Sequence, residues 1–134
     1  MADNFQLEIA TPERLLIREQ VSEAQVPAAN GYLGVLPGHA PLLAALGTGE
    51  LTYLADGRRS SLSIDGGWVE VLPDRVRVLA THAEKASEID AKRAEEALHR
   101  AEEHLAHPDA GIDVARALNA MTRAQARLAA AKHQ

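Results

Sequence analysis

No cysteine occurs among the 134 residues, which removes disulfides, zinc ribbons and thiol catalysis together. Aromatic residues are nearly missing as well, with Phe5, Tyr32, Tyr53 and Trp68 the full set. The formal net charge is −5, so the chain lacks both cations to neutralise phosphates and rings to stack on bases. Nucleic acid is therefore not expected as a partner. Long apolar runs are also absent. The longest, Leu42-Leu43-Ala44-Ala45-Leu46, falls far short of the ~20 residues a membrane-spanning helix needs. Met1-Ala2-Asp3-Asn4 offers neither a basic nor an apolar leader, so no export signal is expected. A hydrophobic share of 46% with 25% charged residues excludes wholesale disorder. The expectation is a soluble, cytoplasmic domain.

What is present divides near Ala83. All Gly except Gly111 and all Pro except Pro108 precede it, and Ala dominates after it. Gly and Pro punctuate strands and turns, whereas Ala, Leu, Glu, Lys and Arg favour helix. Phe5, Leu7 and Ile9 alternate with Gln6 and Glu8, as in a strand with one buried face. Leu62 and Ile64, Val69 and Val71, and Val76 and Val78 repeat that period. Asp56-Gly57, Asp65-Gly66-Gly67 and Pro73-Asp74 read as the turns between such strands. No stretch resembles the crossover helix of a parallel sheet, so an antiparallel sandwich or barrel is predicted.

The remainder reads as an antiparallel helical hairpin. Ser87-Glu88-Ile89-Asp90 has the form of a capping box. Ile89, Ala94, Ala97, Leu98, Ala101 and Leu105 then share one face of a 3.6-residue repeat. Pro108 closes the first helix at His107, and Asp109-Ala110-Gly111 makes the turn. A second helix is predicted from about Ile112 to Lys132, with Val114, Leu118, Met121 and Leu128 as its stripe. Residues 84–107 carry a balance of −3 and residues 112–134 a balance of +3, which favours docking of one helix on the other. Exposed pairs contribute only ~0–1 kcal/mol each, and Ala stripes bury little area, so the hairpin should be weakly held. The fold class is an all-β sandwich over residues 1–84 followed by a two-helix hairpin over residues 85–134.

Catalytic chemistry is thinly represented. His104 and His107 share a helix face and could hold a metal, with Glu103 nearby, but solvated histidines are the plainer reading. No phosphate loop or nucleophile elbow occurs, and Arg58-Arg59-Ser60-Ser61 reads as a solvated hairpin loop. The densest local signal is Gly31-Tyr32-Leu33-Gly34-Val35-Leu36-Pro37-Gly38-His39-Ala40-Pro41-Leu42. Its glycines and prolines prescribe a backbone path rather than a regular strand, with His39 protruding. A contact surface and a sandwich corner whose His39 bonds a carbonyl are equally good readings of those residues.

Gly34-Val35-Leu36-Pro37-Gly38-His39-Ala40-Pro41-Leu42, followed by Gly66-Gly67-Trp68-Val69-Glu70-Val71, resembles the epsilon subunit family of bacterial F-type ATP synthase. Ile9-Ala10-Thr11-Pro12-Glu13 is similar to that family's first strand and turn, and the helix pair follows in the same order. The resemblance implies a non-catalytic rotor subunit of the central stalk, peripheral on the cytoplasmic face of the cell membrane and touching lipid only through the complex. Its implied partners are the gamma subunit, the c-ring, and the beta and alpha subunits, and its role is to couple proton transport to ATP synthesis. Tyr32, Gly38 and His39 are the implied c-ring contacts, with Tyr32 standing where relatives often carry an acid. Ile89-Asp90-Ala91-Lys92-Arg93-Ala94 resembles the I/L-D-x-x-R-A motif of members that bind a regulatory ATP. No cofactor is required, and magnesium is left open. Carried over by position, the implied nucleotide residues are Glu84, Ile89, Asp90, Arg93, Ala94, Arg100, Arg116, Arg123 and Arg127. Guanidinium forks suit triphosphate oxygens, while Asp90 can orient adenine or cap the helix. Two other readings stand beside this one: a stand-alone sandwich module with a helical arm for protein partners, and a metal-dependent enzyme using His104 and His107.

Overall fold

The computed structural model describes residues 3–107 and 113–133. Its strands are β1 (Phe5–Ala10), β2 (Leu15–Val21), β3 (Glu23–Ala28), β4 (Gly31–Val35), β5 (Leu42–Ala45), β6 (Thr48–Ala55), β7 (Arg58–Leu72) and β8 (Arg75–Lys85). They form one folded-over sheet in the order β2-β1-β8-β7-β6-β3-β4, with β5 also paired to β7. The fold class is the sandwich followed by two helices that the sequence predicts. Alternation does the work: Phe5, Leu7 and Ile9 point into a core with Val26, Leu51, Leu62, Ile64, Val69, Val71, Val76 and Val78.

Several local expectations need correction. The β1–β8 pair is parallel, from Gln6↔Arg75 to Ala10↔Leu79. No crossover helix is needed, because the intervening strands themselves carry the chain around. Asp65-Gly66-Gly67 is no turn but lies inside the 15-residue strand β7. Gly66 and Gly67 have φ of 73° and 112°, so they bend the strand without ending it. The bend is shared by the facing chain, where Gly66 N donates to Gly47 O at 3.0 Å and Leu46 N to Gly67 O at 2.8 Å. Arg58-Arg59-Ser60-Ser61 is likewise strand, with Ser61 buried, because the β6–β7 hairpin turns on Asp56-Gly57 alone. Gly31–Val35 is regular strand β4 on β3, so only the residues up to Pro41 form a loop. Asp56-Gly57 and Pro73-Asp74 are two-residue turns as predicted.

A 3-10 turn at Ala86–Glu88 leads into α1 (Ala91–Ala106), and α2 (Val114–Ala131) follows. The start of α1 is capped by Asp90, whose carboxylate accepts from Arg93 N at 3.1 Å, and not by Ser87. Glu88 serves the preceding turn, accepting from Lys85 N at 3.0 Å and from Arg14 Nη2 at 2.8 Å. Those two donors hold its carboxyl below the usual range, the backbone N–H more than the guanidinium. Asp113 caps α2 in the same manner through Arg116 N at 3.1 Å. The predicted turn at Pro108–Gly111 and the helix start at Ile112 lie outside the described residues.

The α2 stripe also differs from expectation. Val114 and Leu118 are 47% and 44% exposed, whereas Ala117, Ala124, Ala126 and Ala130 are buried. Small side chains let α2 approach β6 and β7 closely, and α1 packs on α2. Burying these four methyl groups contributes about 3 kcal/mol, less than larger apolar side chains would give at the same positions.

Candidate functional site

Where α2 and α1 meet the start of β6, the middle of β7 and the last residues of β8, an open cleft of about 1010 Å³ remains. One wall comes from the helices. Arg116, Arg123 and Arg127 fall at intervals of seven and four along α2, so one face presents all three, and Arg100 joins them from α1. The other wall is a row across the sheet. Thr48, Asp65 and His82 are direct cross-strand partners on β6, β7 and β8, and Thr48 Oγ1 donates to Asp65 Oδ1 at 2.6 Å. Glu84, near the end of β8, faces the helices.

Arg127 is committed to Glu84. Its Nε lies 2.8 Å from Oε1, off the hydrogen-bonding line, and Nη2 donates to Oε2 at 3.4 Å. Arg100, Arg116 and Arg123 have no ion-pair partner among the described residues. Such a wall is suited to an anion with several oxygens.

Of the nine residues that the resemblance assigned to nucleotide, the cleft brings together Glu84, Arg100, Arg116, Arg123 and Arg127. Ile89, Asp90, Arg93 and Ala94 do not line it. Ile89 and Ala94 are buried, Asp90 is spent on the helix cap, and Arg93 is exposed at the start of α1. Thr48, Asp65 and His82 were missed, for their one signal is a cross-strand register that local spacing does not reveal. His104 also lines the cleft, and among the described residues no three His, Asp or Glu side chains converge as a metal site.

The loop after β4 is pinned rather than free. Gly38 N donates to Pro73 O at 2.8 Å, tying the loop to the β7–β8 turn. His39 is half-buried and does not protrude. Its Nδ1 lies 2.7 Å from Ala40 O, so that nitrogen carries the proton. Tyr32 is 60% exposed, yet its hydroxyl accepts from Glu50 N at 3.0 Å.

A second surface follows from the register of the sheet. Ala45, Trp68, Leu79, Ala10 and Leu15 are successive cross-strand partners on β5, β7, β8, β1 and β2, hence one row on one face. Trp68, Leu79 and Leu15 in that row are 56%, 58% and 49% exposed. The adjacent row, Leu43, Glu70, Arg77, Glu8 and Arg18, is mostly charged, with Glu8 bridging Arg18 at 3.2 Å and Arg77 at 3.5 Å. A continuous apolar stripe with a charged border has the make-up of a protein interface.

Comparison with known proteins agrees with this architecture. The family described as the ATP synthase delta/epsilon chain beta-sandwich domain matches residues 4–86. The ATP synthase delta/epsilon chain long alpha-helix domain matches residues 87–132. The ATP synthase epsilon chain of Solibacter usitatus is 59% identical over 131 residues, 98% of each chain. That of Herpetosiphon aurantiacus is 46% identical over 128 residues, covering 96% of this chain and 94% of the other. A chain of the Euglena gracilis mitochondrial ATP synthase OSCP/F1/c-ring assembly has the same fold, with a TM-score of 0.83 at 24% identity over 99% of this chain and 84% of that one. The fold and both matched domains define a delta/epsilon-type ATP synthase subunit. The chain belongs to the epsilon subunit family of bacterial F-type ATP synthases, a non-catalytic part of that complex.

Proposed function

We propose that this chain is a rotor component of the central stalk that couples proton flow to ATP synthesis and restrains ATP hydrolysis through its hairpin. The apolar row from Leu15 to Ala45 through Leu79 and Trp68 seats the sandwich on the gamma subunit. Tyr32 and the loop carrying Gly38 and His39 meet the polar loops of the c-ring. The subunit is thus peripheral, on the cytoplasmic face of the membrane; no helix among the described residues is long and apolar enough to cross one.

The hairpin acts as a detachable brake. Docked, it leaves the rotor free; extended, the basic α2 reaches acidic surfaces of the catalytic beta subunits. ATP bound in the cleft favours docking because Arg100, Arg116 and Arg123 on the helices face Asp65 and Thr48 on the sandwich, so one ligand touches both parts. At ten times its dissociation constant, such a ligand adds about 1.4 kcal/mol to the docked state. Against a hairpin held largely by small alanine side chains, a shift of that size moves the balance.

The observation that carries the nucleotide reading is the wall of three arginines with no ion-pair partner among the described residues. Calorimetric titration of ATP into the full chain and into Arg123→Ala tests it. A lost charge-assisted hydrogen bond of about 1.5–3 kcal/mol weakens binding by about 10- to 150-fold. Equal affinities, or no heat with the parent chain, would refute the site.

A further inference from the structure

We infer that Tyr32, Glu50 and His133 form a relay joining the edge strand β4 to the end of α2, so that whatever engages Tyr32 changes how firmly the hairpin is docked. The inference rests on the proposed mobility of the hairpin and gives it a second control, separate from the cleft.

The relay begins where a ladder stops. Strands β3 and β6 pair from Glu23↔Leu54 to Gln25↔Thr52 and no further. Beyond that point the carbonyl of Pro27 accepts from Gly47 N at 2.9 Å, and Pro27 has no N–H of its own to offer. The Glu50 N–H has therefore lost its strand partner. Tyr32, opposite Pro27 on β4, supplies the replacement, with its hydroxyl 3.0 Å from Glu50 N. The neighbouring residue has to be glycine for this contact. A Cβ at Gly49 would stand 2.7 Å from the Tyr32 hydroxyl and 2.9 Å from Pro27 Cβ.

The relay continues through the side chain. Glu50 Oε2 is buried and has no hydrogen-bond partner, yet it lies 3.3 Å from Nε2 of His133. His133 Nε2 comes within ion-pair distance of that oxygen but off the hydrogen-bonding line, so the contact is a close polar approach between the helix end and β6. His133 follows the last turn of α2, held by its own N–H to Ala130 O at 3.1 Å. Glu50 is 20% exposed at its side chain and His133 42%, so the pair forms when the helix end sits on β6 and dissolves when it leaves. Tyr32, at 60% exposure, is the open end of the chain of contacts. A partner that draws the Tyr32 side chain away from β6 leaves Glu50 N unpartnered and loosens the segment that positions the carboxylate; one that only accepts the hydroxyl proton does not, since the oxygen can still accept from Glu50 N.

The absence of cysteine makes the test clean. Asp74→Cys and Gln125→Cys, both at exposed positions, place a donor–acceptor dye pair on the sandwich and on α2 of the full chain. Single-molecule energy transfer then reads the docked and undocked populations without nucleotide. His133→Ala at the chain end and the conservative Tyr32→Phe should each raise the undocked-to-docked ratio about two- to five-fold, the range of a partly exposed ion pair. Their combination should raise it no further than the larger single effect, because both interrupt one path. Either single variant matching the parent, or a double effect equal to the product of the singles, would overturn the relay while leaving a mobile hairpin intact. A parent chain that shows no undocked population under any nucleotide condition would overturn the mobile hairpin itself, and the relay with it.

Discussion

Gly67→Ala is the substitution whose cost the structure defines most sharply. A Cβ built on Gly67 would lie 2.0 Å from Leu79 O and 2.9 Å from Ala80 Cα. Both are backbone atoms, so no side-chain rotation relieves the overlap. Strands β7 and β8 would have to part where Gly67 faces Ala80 and Trp68 faces Leu79, the pairing that holds the bend closed. The φ of 112° adds strain that an L side chain meets whatever the space. Overpacking at about 1–3 kcal/mol and strain at about 1–3 kcal/mol give a loss of about 2–6 kcal/mol. A domain of ordinary stability, about 5–15 kcal/mol, loses much of its margin. Gly66→Ala is the internal control. Its nearest neighbour is the rotatable Thr81 Oγ1 at 3.4 Å, so the φ of 73° alone acts, at about 1–2 kcal/mol. Gly34, with nothing within 4 Å of an added Cβ, should tolerate Ala or gain slightly. Urea unfolding of the full chain, followed by the fluorescence of its single tryptophan beside the bend, measures all three. A Gly67→Ala loss no larger than that of Gly66→Ala would refute the close-approach argument.

Three further outcomes are expected. Glu88 has a folded pKa below its unfolded one, so its bonds to Lys85 N and Arg14 stabilise above the ordinary carboxylate range and are lost as pH falls through the lowered value. Glu88→Gln should flatten that part of the acid limb, and an unchanged pH–stability profile would exclude the contact. Burial raises the Tyr53 phenol above its ordinary value, with the Ser60 hydrogen bond opposing, so the fold keeps a proton that the unfolded chain gives up. Stability should fall as pH rises from about 10, and Tyr53→Phe should remove that dependence in alkaline unfolding. A chain ending at Ala86 should release inhibition of ATP hydrolysis in the reassembled complex while coupling persists, and hydrolysis at the parental rate would count against the brake.

Local chemistry made part of the fold legible. Alternation at Phe5, Leu7 and Ile9 marks a half-buried strand because side chains alternate faces whatever the partner strand. Asp56-Gly57 marks a hairpin because both residues accept positive φ, at 51° and 74°. The same reasoning misled at Asp65-Gly66-Gly67. Two glycines of positive φ suit a turn and a mid-strand bend equally, and the choice depends on continued pairing with β8 on one side and β5 and β6 on the other. The α2 stripe failed in part for a related reason, whereas Ile89, Ala94, Ala97, Leu98, Ala101 and Leu105 of the α1 stripe are buried or half-buried as expected. Leu118 and Val114 are the more hydrophobic residues, yet they stay exposed while the smaller Ala117 and Ala124 are buried, because where α2 lands decides which of its faces is covered.

For the candidate site the division is similar. Helical period alone places Arg116, Arg123 and Arg127 on one face, since residues seven and four apart return to the same side. That this face meets Thr48, Asp65 and His82 depends on where α2 lands, as does the meeting of Glu50 with His133. By itself the sequence determined periodicity, turn propensity and charge, because those act between neighbours along the chain. Register across the sheet, the parallel closure of β1 on β8 and the seat of the hairpin were decided by burial between distant segments, whose energy no local window contains.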